Sequence, residues 1–343
     1  RDMSASPGSP PLANYAPRTP ARTPRAPVVI ALVNNMPDPA LQTTERQFRV
    51  LLGATAEFDV HLRLFSFPEL IRGQAGRAYV AEHYEPIDRL WLGGFDGLIV
   101  TGAEPRTAAL SDEVYWPSLT RLLDWADDAA ISAVWSCLAA HAAVLHLHGI
   151  QRRPLGEKLS GVFTCRRNGD DRLVSGLPQS WRIPHSRYNT LDTSRLVASG
   201  YEVLSASDEA GADTFIHRRP GGQLFIFFQG HPEYDAGALF REYRRDVGRF
   251  LAGTVDRYPE MPRGYFDDET TQVFETFRAR AHRDRTRELL DVFPRSDDRG
   301  MPAHVWHDAA VRLYANWLTT LVASRRCAVP SGDYLTLQGP FHG

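Results

Sequence analysis

The sequence predicts an α/β fold, a mainly parallel sheet flanked by helices, on three observations. Short apolar runs rich in β-branched and aromatic residues alternate with stretches of helical periodicity, the pattern of βα units. The chain has 343 residues, 43% of them hydrophobic, enough to bury a large core. At Ser136-Cys137 a strand-like run hands over at once to small, helix-favouring residues.

Taken in order, residues 1–27 (RDMSASPGSPPLANYAPRTPARTPRAP) are rich in Pro, Ala, Ser and Arg without apolar periodicity, and are expected to form a disordered extension. Strands are expected at 28–34, 58–67, 97–101, 131–136 and 223–229, each an apolar run. Helices are expected between them near 40–53, 116–128 and 138–147. Residues 160–217 carry shorter strand signals with Gly and Asp turns, which suits a less regular sheet edge. Residues 236–254 and 304–323 read as helices. Residues 268–292 are also helical in pattern but strongly charged, and are expected to pack on the surface. No internal repeat or linker interrupts 28–325, so one domain is expected there, with 326–343 as a C-terminal tail.

Composition excludes several classes of function. A net charge of −2 gives no electrostatic reason for a nucleic-acid or anionic-membrane partner. No apolar run is long enough to span a bilayer, and no signal-type segment stands near the start. Three cysteines, Cys137, Cys165 and Cys327, show neither disulfide nor metal-type spacing. A reduced, cytoplasmic, enzyme-sized protein without metal is expected. Of 39 basic residues every one but Lys158 is arginine.

In an open α/β sheet, catalytic groups gather at the carboxyl ends of strands. Cys137 falls there, at the start of a helix whose free N–H groups and dipole favour a thiolate. The backbone N–H groups of Leu138 and of the Thr101-Gly102-Ala103 loop could hold an oxyanion. A sharp strand–Cys–helix turn with small neighbours is the nucleophile-elbow arrangement. A buried structural cysteine is the alternative. The 223–229 run ends in Gly230-His231-Pro232-Glu233-Tyr234. His231 and Glu233 lie two apart and point to one side in extended chain. The imidazole could then take the thiol proton while Glu233 holds its tautomer, as in a triad. A histidine that merely caps the next helix is the other reading.

The segments FDGLIVTGAEP, EVYWPSLTRLLDWA, EKLSGVF, IPHSRY, GHPEYDAGALFREYRRDV and YANWL occur in this order. They resemble the homoserine O-succinyltransferase/O-acetyltransferase family, the branch with a cysteine nucleophile and a class I glutamine amidotransferase-like, flavodoxin-like fold. The likeness runs from about Val28 to Leu321. It implies ping-pong acyl transfer in methionine biosynthesis, in which Cys137 takes an acyl group from acyl-CoA as a thioester. The acceptor hydroxyl then attacks with His231 as base and Glu233 in support. The family's substrate-binding residues fall on Lys158, Ser186 and Arg245. The lone lysine supports the first of these, since an ammonium and a guanidinium are not interchangeable at a tight site. Arg245, in the charged run Arg241-Glu242-Tyr243-Arg244-Arg245-Asp246, reads by itself as part of a solvated face. The family's acyl-selecting position falls on Arg106, which could pair with a succinyl carboxylate. No metal cluster or phosphate-cradling glycine loop is visible in the sequence, so no metal or nucleotide cofactor is expected, acyl-CoA being a co-substrate. The implied partners are small molecules, acyl-CoA and a hydroxy amino acid, and a homodimer is compatible with the sequence.

The chain also departs from the family pattern. Asn34-Asn35-Met36-Pro37-Asp38-Pro39 stands where Asn-Leu-Met-Pro and a lysine are usual, and the loop before Thr44 reads as longer. His141 replaces the glutamine four after the nucleophile. Residues 268–297 read as an insertion. These changes leave L-serine open as acceptor beside homoserine, a methylene being worth about 1–3 kcal/mol in a pocket. A glutamine amidotransferase is a further alternative, opposed by Trp135 and Ala139 where glycines would be expected. A non-catalytic protein that kept the fold is another.

Overall fold

The computed structural model describes residues 26–295 and 304–328. Nine strands form one sheet: β1 (Val28–Val33), β2 (Val60–Phe65), β3 (Gly97–Val100), β4 (Ser132–Ser136), β5 (Arg153–Arg167), β6 (Ser180–Thr190), β7 (Glu202–Ser207), β8 (Gly211–Arg218) and β9 (Leu224–Phe228). Their order is β2-β1-β3-β4-β9-β8-β7-β5-β6. The first five in that order are parallel, and the remaining pairings are antiparallel.

Eight α-helices accompany them among the described residues. They are α1 (Asp38–Gly53), α2 (Gln74–His83), α3 (Trp116–Asp128), α4 (Leu138–His148), α5 (Thr193–Ala198), α6 (Ala238–Leu251), α7 (Asp268–Arg283) and α8 (His307–Ala328). The alternation of side chains along β1 divides the core in two. Val28, Ile30 and Leu32 pack with Phe48 and Leu52 of α1 and Trp317 of α8. Ala31 and Val33 face the other way, towards Leu122 and Leu123 of α3 and the alanines of α4. Those small side chains let α4 lie close beneath β4 and bring its N-terminus up to the strand ends. No described helix is long and apolar enough to cross a membrane.

The five parallel strands fall where the sequence predicts them, within two residues at each end. Residues 160–217 differ from expectation. β5 and β6 run 15 and 11 residues and pair as a long antiparallel ribbon, with a register shift between Pro154 and Leu159. The helix α2 was not expected, because among its residues only Gly76 is buried and it carries almost no apolar stripe. Asp38 holds its start: one carboxylate oxygen accepts from the Gly73 amide at 2.7 Å and the other from Arg72 at 3.0 Å. The Asp38-Pro39 departure is therefore the first turn of α1, where proline's missing N–H costs nothing. The charged 268–292 segment folds as α7 and a 3₁₀ turn at 287–292, and buries Phe274, Phe277 and Ala281 against Tyr243, Val247 and Phe250 of α6. Apart from Ala26 and Pro27, the N-terminal extension lies outside the described residues, as do 329–343 of the tail and 296–297 of the insertion.

Candidate active site

β4 and β9 are neighbours, with Ser136 opposite Phe228. The residues that follow them, Cys137 and the 230–234 turn, must therefore meet above the sheet. Cys137 caps α4 with φ 50° and ψ −107°, a conformation that L-residues avoid. Its amide donates to the Phe228 carbonyl at 2.7 Å, which ties the elbow to β9. Gly102 is forced by crowding: a Cβ there would stand 2.7 Å from the Leu138 Cβ and 3.2 Å from its amide nitrogen. Of the expected oxyanion donors, Gly102 and Leu138 are thus in close contact beside Cys137, with Ala103 next in the chain, where the first N–H groups of α4 lack intrahelical partners.

His231 is buried and its Nδ1 lies 2.8 Å from Glu233 Oε1. Its backbone amide donates to the Pro184 carbonyl at 2.8 Å, which fixes the turn to β6. Burial disfavours the imidazolium, but Cys137 and Glu233 outweigh it and hold the His231 pKa well above its usual range. Gly230 has no room for a side chain, because a Cβ would lie 2.5 Å from Ile183 and 2.7 Å from Asp213 Oδ1. Beneath it Asp213 and His185 are fully buried, with Nε2 and Oδ1 3.3 Å apart and Cys165 alongside. This is the one group of three candidate metal ligands among the described residues.

A second chain of contacts leads away from His231. The Tyr234 ring stacks on the imidazole, 4.2 Å between centroids and 15° between planes. Its hydroxyl donates to Glu242 Oε1 at 2.5 Å. Glu242 Oε2 accepts from Lys158 Nζ at 3.0 Å and from the Ser186 hydroxyl. Lys158 also donates to Asp246 at 2.7 Å, and Arg245 Nε to the other oxygen of Asp246 at 3.1 Å. Burial opposes ionisation of Glu242, yet Lys158 with Ser186 and Tyr234 brings its pKa down to about 2. The predicted trio Lys158, Ser186 and Arg245 is thus brought together around two carboxylates, and a cavity of about 240 Å³ opens beside Lys158 and Asp246.

Sequence reasoning missed Tyr234, Glu242 and Asp246. The signal was present as a carboxylate pair four apart on α6, which faces one way on a helix. His304 Nε2 and Trp306 Nε1, both 2.8 Å from the Tyr234 carbonyl, were not foreseeable from spacing. Arg106 stands exposed on its loop, whose backbone is held by the buried Glu113 through the amides of Arg106 and Thr107 at 2.7 and 2.8 Å. Its neighbour Glu104 turns instead to Arg249 at 2.9 Å.

A thiol, an imidazole and a carboxylate meet at the strand ends of an α/β sheet, a set of groups that in enzymes can serve as nucleophile, base and orienting acid. A family model described as homoserine O-succinyltransferase matches residues 16–327. Proteins named homoserine O-succinyltransferase from Rhodopseudomonas palustris and Bradyrhizobium japonicum are 46% and 47% identical to this chain. Those matches cover 89% and 85% of this chain and 92% and 89% of the relatives. One from Methylorubrum extorquens is 45% identical, over 86% of this chain and 87% of its own. Among solved structures, a glutamine amidotransferase from Methylobacillus flagellatus is similar with a TM-score of 0.49 at 15% identity, over 85% of this chain and 94% of that one. The chain belongs to the homoserine O-succinyltransferase family, acyltransferases of methionine biosynthesis.

Proposed function

We propose that this protein transfers a succinyl group from succinyl-CoA to the side-chain hydroxyl of homoserine through a thioester on Cys137. The observation that carries the reading is Cys137 at the elbow next to His231, whose Nδ1 lies 2.8 Å from Glu233 Oε1, because it places a thiol beside an oriented imidazole.

In the first half-reaction the Cys137 thiolate attacks the thioester carbonyl and the oxyanion is met by backbone N–H groups at 102–103 and 138. The C–S bond to CoA breaks, and the leaving thiolate takes the proton from His231. In the second, neutral His231 removes the acceptor's hydroxyl proton, the alkoxide attacks the acyl-cysteine, and Cys137 leaves as thiolate beside the re-formed imidazolium. Each side chain in this cycle ends as it began. Glu233 supports the charged imidazole in both halves, which is the electrostatic role of a triad carboxylate. Lys158, Ser186 and Arg245 bind the acceptor, and Arg106 adds a positive charge on the acyl-selecting loop. The site asks for no metal or cofactor in this scheme.

Intact-mass measurement after mixing the protein with succinyl-CoA tests the reading. The expected result is one succinyl adduct on Cys137, absent in Cys137→Ala and discharged by homoserine. Turnover without an adduct, or full activity in Cys137→Ala, would refute the covalent route.

A further inference from the structure

Arg152, half-buried beside α4, lies outside the residues given roles above. Helix α4 ends at Gly149, whose φ of 65° is the left-handed conformation that lets the chain reverse. Ile150 is buried and its amide donates to the Val144 carbonyl, so the chain turns back beside α4 with Gln151 exposed and Arg152 half-buried. Arg152 then lines a cavity of about 170 Å³ together with His141 and Leu145 of α4, Asn189 of β6 and the Ala108–Leu110 stretch. That stretch continues the loop that carries Arg106. The cavity begins one helical turn past the nucleophile, since the His141 amide bonds the Cys137 carbonyl at 3.2 Å.

Two donors have no partner here, one on Arg152 in the cavity wall and one on Tyr115, which lies outside the lining but interacts with Arg152. Arg152 Nη1 and the Tyr115 hydroxyl are both shielded from solvent and neither makes a hydrogen bond among the described residues. Buried donors are ordinarily satisfied, and a buried guanidinium does not lose its proton. Arg152 interacts electrostatically with Tyr115, Glu113 and Cys137, so the two donors and the thiol share one neighbourhood. Glu113 is not within ion-pair distance of Arg152, and its Oε1 is taken up by the amides and hydroxyl of the 106–107 loop. An acceptor that carries negative charge and offers two oxygens would satisfy both donors at once.

We propose that Arg152 and Tyr115 form a carboxylate-binding subsite that receives the terminal carboxylate of the acyl group during transfer to Cys137. Two methylenes separate that carboxylate from the reacting carbonyl, which suits a cavity one turn from the thiol. The shielded donors of this pair therefore recognise the acyl group, and the exposed Arg106 contributes only at the rim. The assignment rests on the reading of Cys137 as the acylated residue and of succinyl-CoA as donor. The α-carboxylate of the acceptor has the same chemistry, so the test separates the two half-reactions.

Full-length wild type, Arg152→Gln and Tyr115→Phe are mixed with succinyl-CoA or acetyl-CoA without acceptor, and adduct formation on Cys137 is followed by quenched intact mass. The expected result is a ratio of succinylation to acetylation rate at least tenfold lower in Arg152→Gln and several-fold lower in Tyr115→Phe. Tyr115→Phe removes one oxygen only and keeps the test available should the charge removal at 152 prevent folding. A ratio within twofold of wild type in either soluble variant would overturn the subsite. A raised KM for homoserine on acetyl-loaded enzyme, with the donor ratio unchanged, would also overturn it by assigning the donors to the acceptor. Failure of wild type to take an acyl group from either CoA ester would instead refute the thioester reading beneath it.

Discussion

His141 offers the most quantitative check on the interior of this site. Gln229 Nε2 donates to the Ala212 carbonyl at 2.6 Å and its Oε1 accepts from the Leu191 amide at 3.1 Å, so the orientation of the amide is fixed. The same Oε1 lies 2.9 Å from His141 Nε2, which must then be the protonated nitrogen. Acid would have to charge Nδ1 inside the core. Burial, reinforced by Arg187 and Arg152, pushes the His141 pKa from 6.5 down to about 3 against the raising effect of the Gln229 bond. Because the folded value is depressed, the unfolded chain binds a proton that the native protein refuses between pH 6.5 and about 3. The stabilisation is complete above the unfolded pKa and is lost as pH falls, by about 1.4 kcal/mol per pH unit. From pH 7 to 4.5 this one residue should cost about 2–3 kcal/mol. In His141→Gln the titrating group is gone and an amide can still donate to Gln229. Urea unfolding of both proteins at the two pH values should show wild type losing that much more stability than the variant, all other carboxylates and histidines cancelling in the difference. A difference below about 0.5 kcal/mol would refute the reasoning, since it lies within ordinary non-additivity.

Two further outcomes are expected. His231 should stay protonated at pH 7 in wild type, because its raised pKa keeps the imidazolium until pH climbs through that value. In Cys137→Ala its ring signals should titrate at lower pH, and NMR of labelled histidine that finds no shift between the two would sever the proposed coupling. Arg106→Gln should lower kcat/KM for succinyl-CoA by only about two- to fivefold, and less at high salt, because exposed ion pairs contribute about 0.2–1 kcal/mol. A loss above tenfold would transfer acyl recognition from the interior to the loop.

The parallel half of the sheet was legible because strands buried on both faces are written as unbroken apolar runs such as Val28–Val33 and Leu224–Phe228. Cys137, His231 and Glu233 were legible for the same reason, each lying just past one of those runs. The antiparallel half was blurred by β5 and β6, which mix Arg, Glu and Lys with apolar residues, among them candidate site residues such as Lys158 and Ser186. On α6 the charges of residues 241–246 look uniform in sequence, yet Asp246 is buried and Glu242 is engaged by Lys158, Ser186 and Tyr234, while Arg241 and Arg244 face solvent. Which members of a charged run turn inward is decided by partners from other strands, and no local pattern contains them. The burial of α7 through Phe274 and Phe277 was similarly hidden beneath its charge.

The backbone at Cys137 sets stability and activity against each other at a single residue. At φ 50° a glycine would sit without penalty, and every side chain, cysteine included, is held there only by the β4 and α4 packing around it. Selection for thermal tolerance alone would therefore favour glycine at 137, a more relaxed chain that lacks the thiol the proposed mechanism needs. An effort to harden this protein by directed evolution has to screen for turnover at every round, because on the proposed mechanism the substitution that relaxes this turn also removes the acyl carrier.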